Sequence, residues 1–206
     1  LQNSQGSIQL LGDNPAIAAD IGCAIVTALN TAGIISAPMG FPGGGSSSGD
    51  SRPLIMSTTR DHIMDRDALP YAKAIEYGAP VIHVGTTIAP SLDQNNIPAC
   101  LSENIMRDLL RHRIGFKGLV LAGPMDSPGV SRDSSSEDPA VTALRAGADM
   151  LLWNSAGQRT LKAIDAISAA IHAGSLPPSR ILEASARLDA LIAQYKLSEA
   201  SPPKPS

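Results

Sequence analysis

The chain has 206 residues, 43% hydrophobic but only 3% aromatic, with a formal net charge of -3. That length favours one domain, with a core of Ala, Ile, Leu and Val. Mixed charge without a basic stripe argues against nucleic acid as partner, and no apolar run approaches the roughly 20 residues of a membrane span. Cys23 and Cys100 are too few for a disulfide framework, and neither has metal-ligand spacing. Cys23 reads as a small core residue and Cys100 as an inert loop cysteine. No metal or cofactor is expected. The expectation is a soluble protein, the cytoplasm marginally preferred. The chain starts at Leu1 with no methionine and no signal-peptide pattern, so a processed product or part of a longer polypeptide is expected.

Asn14-Pro15 opens the first helix: Asn caps, Pro takes the first helical position and Gly33 closes it. Ile17, Ile21, Ala24, Ile25, Ala28 and Leu29 recur at helical spacing and form one apolar face. A short strand is predicted over Ile34–Ala37, followed by a loop running from Met39 through Gly43-Gly44-Gly45-Ser46 to Arg52. A second helix spans about Asp67 to Tyr77. The β-branched run Pro80–Thr86 then reads as a strand buried on both faces. Ser102 caps a third helix, which carries Ile105, Met106, Leu109 and Leu110 inward and ends near Gly115. Gly118–Ala122 is the next strand, Gly123–Ser136 a polar loop, and Asp138–Ala146 a helix stopped by Gly147. The strand Asp149–Trp153, a helix over Arg159–Ala173 and a last helix over Pro177–Tyr195 complete the order. The Pro/Ser-rich tail 198–206 is expected to be disordered, leaving 1–197 as one domain.

The chain thus reads as a helix, four βα units and an extra helix, which implies α/β structure on a parallel sheet. The glycine/serine loop after the first strand is placed where such folds put their sites. Read from its residues, it is a surface loop or an anion cradle; no GxGxxG or GxxxxGK[ST] pattern is present.

Several segments, in order, carry a resemblance. Gly12-Asp13-Asn14-Pro15, Phe41-Pro42-Gly43 with Gly45, and Asp50-Ser51 come first. Pro90, Leu92-Asp93 and Ile97-Pro98-Ala99 with Leu101-Ser102 follow, then Leu109-Leu110-Arg111 with Gly115-Phe116 and Gly118-Leu119-Val120. Ala143-Leu144 with Ala146-Gly147-Ala148-Asp149-Met150-Leu151-Leu152 ends the series. Together they resemble glycoside hydrolase family 3, in its bacterial-type β-N-acetylglucosaminidase branch. The resemblance implies a TIM-barrel-like fold: the C-terminal half of a (β/α)8 barrel, four βα units plus a terminal helix, with the first four units missing.

The resemblance also implies a site, and there the chain departs. Where active members read KHFPGHG, this chain has Met39, Gly40 and Gly44 in place of the lysine and the two histidines. The histidine of their later DSH, thought to act as acid/base, falls on Arg52. A substrate-facing histidine falls on Thr86, and the nucleophilic aspartate on Gly123. A retaining glycosidase needs a carboxylate about 5 Å from its acid/base, and glycine supplies none.

Candidates for a rebuilt site are Asp50, Arg52, Asp126 and Ser127, with Ser46–Ser48 a nucleophile lacking a visible base. A ligand-binding set would draw on Gly43, Gly44, Gly45, Ser46, Asp50, Arg52 and Thr86. Counting alternation back from Thr86 turns His83 toward the helices, as a core histidine. Asp93 reads as a loop-capping aspartate, and Asp61-His62 as a solvated pair in a polar loop.

The favoured expectation is a catalytically degenerate, glycosidase-like binding or scaffold module, with a carbohydrate as possible ligand. The alternative is an enzyme with a rebuilt site at the C-terminal mouth of the strands. In either case four strands leave two open edges, so a separate N-terminal half-barrel chain or a second copy is the expected partner.

Overall fold

The computed structural model describes residues 12, 14–44, 54–131, 137–155 and 157–197. The tail 198–206 and the candidates Gly45, Ser46–Ser48, Asp50 and Arg52 lie outside them.

The first helix, α1 (Pro15–Thr31), starts as its cap chemistry dictates: the Ala16 and Ile17 N–H groups donate to Asn14 Oδ1. Its buried side is not the one the apolar periodicity singled out. Ala18, Ala19, Cys23 and Val26 are buried, Val26 joining Ala74 in the main core, while Ile17, Ile21 and Ile25 stay 41–54% exposed. Small residues let two helices approach closely, and the larger isoleucines are left on the outer face.

The first strand, β1 (Met39–Phe41), falls in the predicted loop, and Ile34–Ala37 forms no strand. Pairing decides this, because only residues from Pro38 onward meet the neighbouring strand: His83 N–H donates to Pro38 O, and Gly85 N–H to Phe41 O. Helical structure then begins at α2 (Arg60–His62), earlier than predicted and within the expected polar loop. It continues through a wider turn, Ile63–Asp67, where the Ala68 N–H reaches back five residues to Ile63 O, into α3 (Leu69–Glu76).

β2 (Val81–Val84) is buried throughout. A short turn, Ala99–Leu101, leads to a second widely wound helix, Asn104–Arg113. Ser102 caps it by accepting from the Ile105 N–H, as expected. Asp93 is the loop-capping aspartate the sequence indicated, accepting from the Asn95 N–H and the Ser102 hydroxyl. β3 (Leu119–Ala122) is followed by a short helix, α4 (Pro128–Ser131), inside the predicted loop. Then come α5 (Pro139–Ala146), β4 (Met150–Leu151), α6 (Gln158–His172) and α7 (Pro178–Gln194).

The four strands form one parallel sheet in the order β1-β2-β3-β4. Ile82, Val84, Val120 and Ala122 face the helices and join Ile105, Met106, Leu109, Leu110 and Ala143 in the main core. Each Val, Ile, Leu or Met among them contributes about 1.5–3 kcal/mol by leaving water. The opposite face carries Val81 and Leu119, which pack against Leu188 and Leu191 of α7. α7 therefore crosses this face near the starts of the strands. Beyond it the same face opens: Met39 on β1 is 50% exposed and Met150 on β4 is 40% exposed.

One buried charge cluster fixes α7 to the sheet. The Asp149 carboxylate, fully buried, receives Arg111 Nη2 and Arg180 Nη2 at 2.6 Å each, Arg187 Nη1 at 2.9 Å and the Val120 N–H at 2.9 Å. Arg180 also donates to Leu144 O and Ala148 O, and Arg187 pairs with Glu183.

Candidate functional site

The C-terminal ends of the strands converge through a ladder of backbone bonds. Gly85 N–H donates to Phe41 O at 3.1 Å, Gly123 N–H to Val84 O at 3.1 Å, and Leu152 N–H to Ala122 O at 2.9 Å. Just past this ladder the chain places Gly43, Gly44, Thr86, Gly123, Asp126 and Ser127. Each of these described candidates follows the C-terminal end of β1, β2 or β3.

Among the described residues, the positions where the resemblance expects the two KHFPGHG histidines and the nucleophile carry glycine. Gly40, where the resemblance expects a histidine, has φ +89°. Gly123, where it expects the nucleophile, has φ +140°, and a Cβ built there would lie 2.7 Å from Leu152 O and 3.0 Å from Met125 N. L-residues rarely adopt either conformation. The backbone just past β4 lies against this position, where Met125 N–H donates to Leu152 O at 2.7 Å. Gly43 is packed too, since a Cβ on it would meet Asp67 Cβ at 2.6 Å.

Asp126 stays near the vacated position, but its carboxylate is engaged. It accepts from the Asn154 N–H at 3.0 Å, from Asn154 Nδ2 at 3.2 Å, and from the Ser155 N–H and hydroxyl. Hydrogen bonds, the Asn154 backbone bond foremost, hold its carboxyl below the usual value of 3.8. An ionised carboxylate with these four donors braces two loops against each other. Its partners lie 28 and 29 residues away, and no pattern in the sequence announces them.

His83 is buried, as expected of a core histidine, but it does not face the helices. Its register partners Met39 and Leu121 lie on the open side of the sheet, opposite Ile82 and Val84. The strand ends at Val84 and the chain bends at Thr86, so alternation cannot be counted back from Thr86. His83 Nδ1 accepts the Gly40 N–H at 3.1 Å. Burial pushes its pKa below the ordinary 6.5, while the nearby Gly123 backbone favours the charged ring without reaching hydrogen-bond geometry to Nε2. Tyr71 is a second contributor that sequence reading missed. Its hydroxyl donates to Met39 O at 2.7 Å, and its ring meets Phe41 edge-to-face at 5.4 Å. Burial, then Asp67, raises its pKa and keeps it neutral.

Cys100 is buried rather than looped into solvent, and burial pushes its thiol up to about 12, so it is inert. Asp61 and His62 are exposed, at the first turn of α2. Among the described residues no group of three or more His, Cys, Asp or Glu could hold a metal ion, and no helix is long and apolar enough to cross a membrane.

A four-stranded parallel sheet with its connecting helices packed on one face and α7 across the strand starts on the other defines half of a TIM-barrel-like α/β domain. The profile described as "Glycosyl hydrolase family 3 N terminal domain" matches residues 7–191, and the chain belongs to that family. It is 30% identical to the β-hexosaminidase A of Pseudoalteromonas piscicida over 159 residues, covering 71% of this chain and 27% of that one. An uncharacterized secreted glycosyl hydrolase of Arthroderma benhamiae is 31% identical over 192 residues, with 91% and 54% covered. Among solved structures, the family 3 β-N-acetylglucosaminidase of Paenibacillus sp. str. FPU-7 superposes with a TM-score of 0.88 at 26% identity, covering 95% of this chain and 38% of that one. The chain thus spans between about a quarter and about half of these curated relatives.

Proposed function

We propose that this chain is a catalytically degenerate, glycosidase-derived module that binds or scaffolds rather than hydrolyses, with residues 1–197 acting as one unit. The observation that carries the reading is the backbone at Gly40 and Gly123. Two positions where the resemblance expects chemistry hold glycine at positive φ, which L-residues rarely adopt, and at Gly123 a Cβ would also meet Leu152 O at 2.7 Å. Restoring a side chain at Gly123 therefore needs the surrounding backbone to move as well. Without a nucleophile the covalent route of a retaining glycosidase has no first step.

The module is completed by another polypeptide, either an N-terminal half-barrel or a second copy. Three exposed isoleucines on α1, Leu161 and Ile164 on α6 at 55% and 57% exposure, and Met39 and Met150 support this. They occupy the outer helices and the open face of a sheet whose end strands each have one neighbour. Apolar area at such a site is the usual mark of an interaction surface. A carbohydrate is the ligand class that the relatives' names suggest for the mouth.

The test is turnover of an aryl β-N-acetylglucosaminide by purified protein. No hydrolysis above the uncatalysed rate is expected. Hydrolysis lost on changing Asp126 to alanine would instead establish a rebuilt catalytic site.

A further inference from the structure

Strand β1 is irregular. Met39 pairs with His83 and Phe41 with Val84, so two steps on β1 match one step on β2 and Gly40 is the extra residue. A bulge turns its own N–H out of the ladder, and a half-buried N–H still needs an acceptor. Here the acceptor is a side chain: His83 Nδ1, 3.1 Å from Gly40 N.

A ring nitrogen accepts only while unprotonated. We propose that His83 is a proton-sensitive latch: neutral, it holds the bulged strand β1 at Gly40, and protonation at Nδ1 releases β1 with the Pro42–Gly44 segment that enters the glycine/serine stretch. Protonated, the ring has two donors and no acceptor, and Gly40 loses its partner. The latch holds whether or not the mouth binds a ligand.

Among the described residues, no charged group on the strands beside His83 opposes this. β1 brings Met39, Gly40 and Phe41, and β3 brings Leu121 and Ala122 with Gly123 beyond them; none titrates. From α7, Leu188 and Leu191 reach the adjoining Val81 and Leu121. From α3, Tyr71 binds Met39 O and remains neutral. The other bonds of β1, to the His83 N–H, the Gly85 N–H and Tyr71, do not depend on the ring's charge.

The experiment is amide exchange at Gly40, followed by NMR from about pH 7.5 to about pH 5 on the full chain in its purified assembly, wild type against His83→Asn. Asparagine Oδ1 takes the place of Nδ1 as acceptor and does not titrate. In wild type, Gly40 protection, corrected for intrinsic exchange, should fall about tenfold per pH unit below the histidine's folded-state pKa, while Val84 and Ala122 keep theirs. In His83→Asn it should stay flat. Flat protection in both proteins, or an equal fall in both, overturns the latch. If the variant does not fold, ring nitrogen shifts of wild-type His83 decide: an Nε2–H tautomer titrating below 6.5 supports the latch, and an Nδ1–H tautomer refutes it.

Discussion

At Gly123 a carboxylate would have to grow from backbone at φ +140°, with Leu152 O only 2.7 Å from its Cβ. Gly123→Asp should therefore lower stability by about 1–3 kcal/mol and yield no glycosidase activity. Urea unfolding beside an aryl-glycoside assay checks both, and a hydrolytically active variant would contradict the degenerate reading. His83 gives a pH prediction at the same scale. Its folded pKa lies below the unfolded 6.5, so the unfolded chain binds the proton more readily. Its contribution to stability is complete above about 6.5 and is lost as pH falls from there through the folded value. Chemical-denaturation midpoints should show that loss in wild type and a smaller one in His83→Asn. Which face His83 occupies was not legible in the sequence. Counting from Thr86 needs a strand that outlasts Val84, and the chain bends at Thr86 instead.

Among the elements, the helices were the most readable. Asn14, Ser102 and Asp138 each cap the helix they were read to start, because capping uses a side chain and N–H groups only two or three residues apart. Ser102→Ala should cost about 1 kcal/mol or more, since the buried Asp93 also loses its hydroxyl partner; thermal unfolding reads this directly. β1 was not readable. Three residues with a central glycine carry no alternation, and Ile34–Ala37 looked the better strand until pairing with β2 was known. The Asp149 cluster was equally hidden, its arginines lying 31 and 38 residues from the aspartate. Replacing Asp149 by asparagine leaves buried guanidinium groups without their counter-charge, and a loss of about 3–5 kcal/mol in denaturant titrations is expected. A loss below about 1 kcal/mol would show that the arginines find other partners.

For the whole molecule, the prediction concerns assembly. Native mass spectrometry should find the 21.3 kDa chain joined to a second polypeptide or copy, and Ile21→Glu should weaken that association. A stable interface needs roughly 800 Å² per partner, more than one stripe of three isoleucines offers, so the partner must reach the open sheet face as well. A lone, concentration-independent monomer would refute this. By itself the sequence determined the alternation of helices and strands, the parallel α/β class and the family, because local periodicity, caps and motif residues act within a few positions. Only the tertiary structure decided which strand register forms, which face carries His83, that Asp126 is tied to Asn154 and Ser155, and that Leu152 O lies against Gly123. Those outcomes depend on contacts between residues far apart in the chain, whose free energies no local pattern encodes.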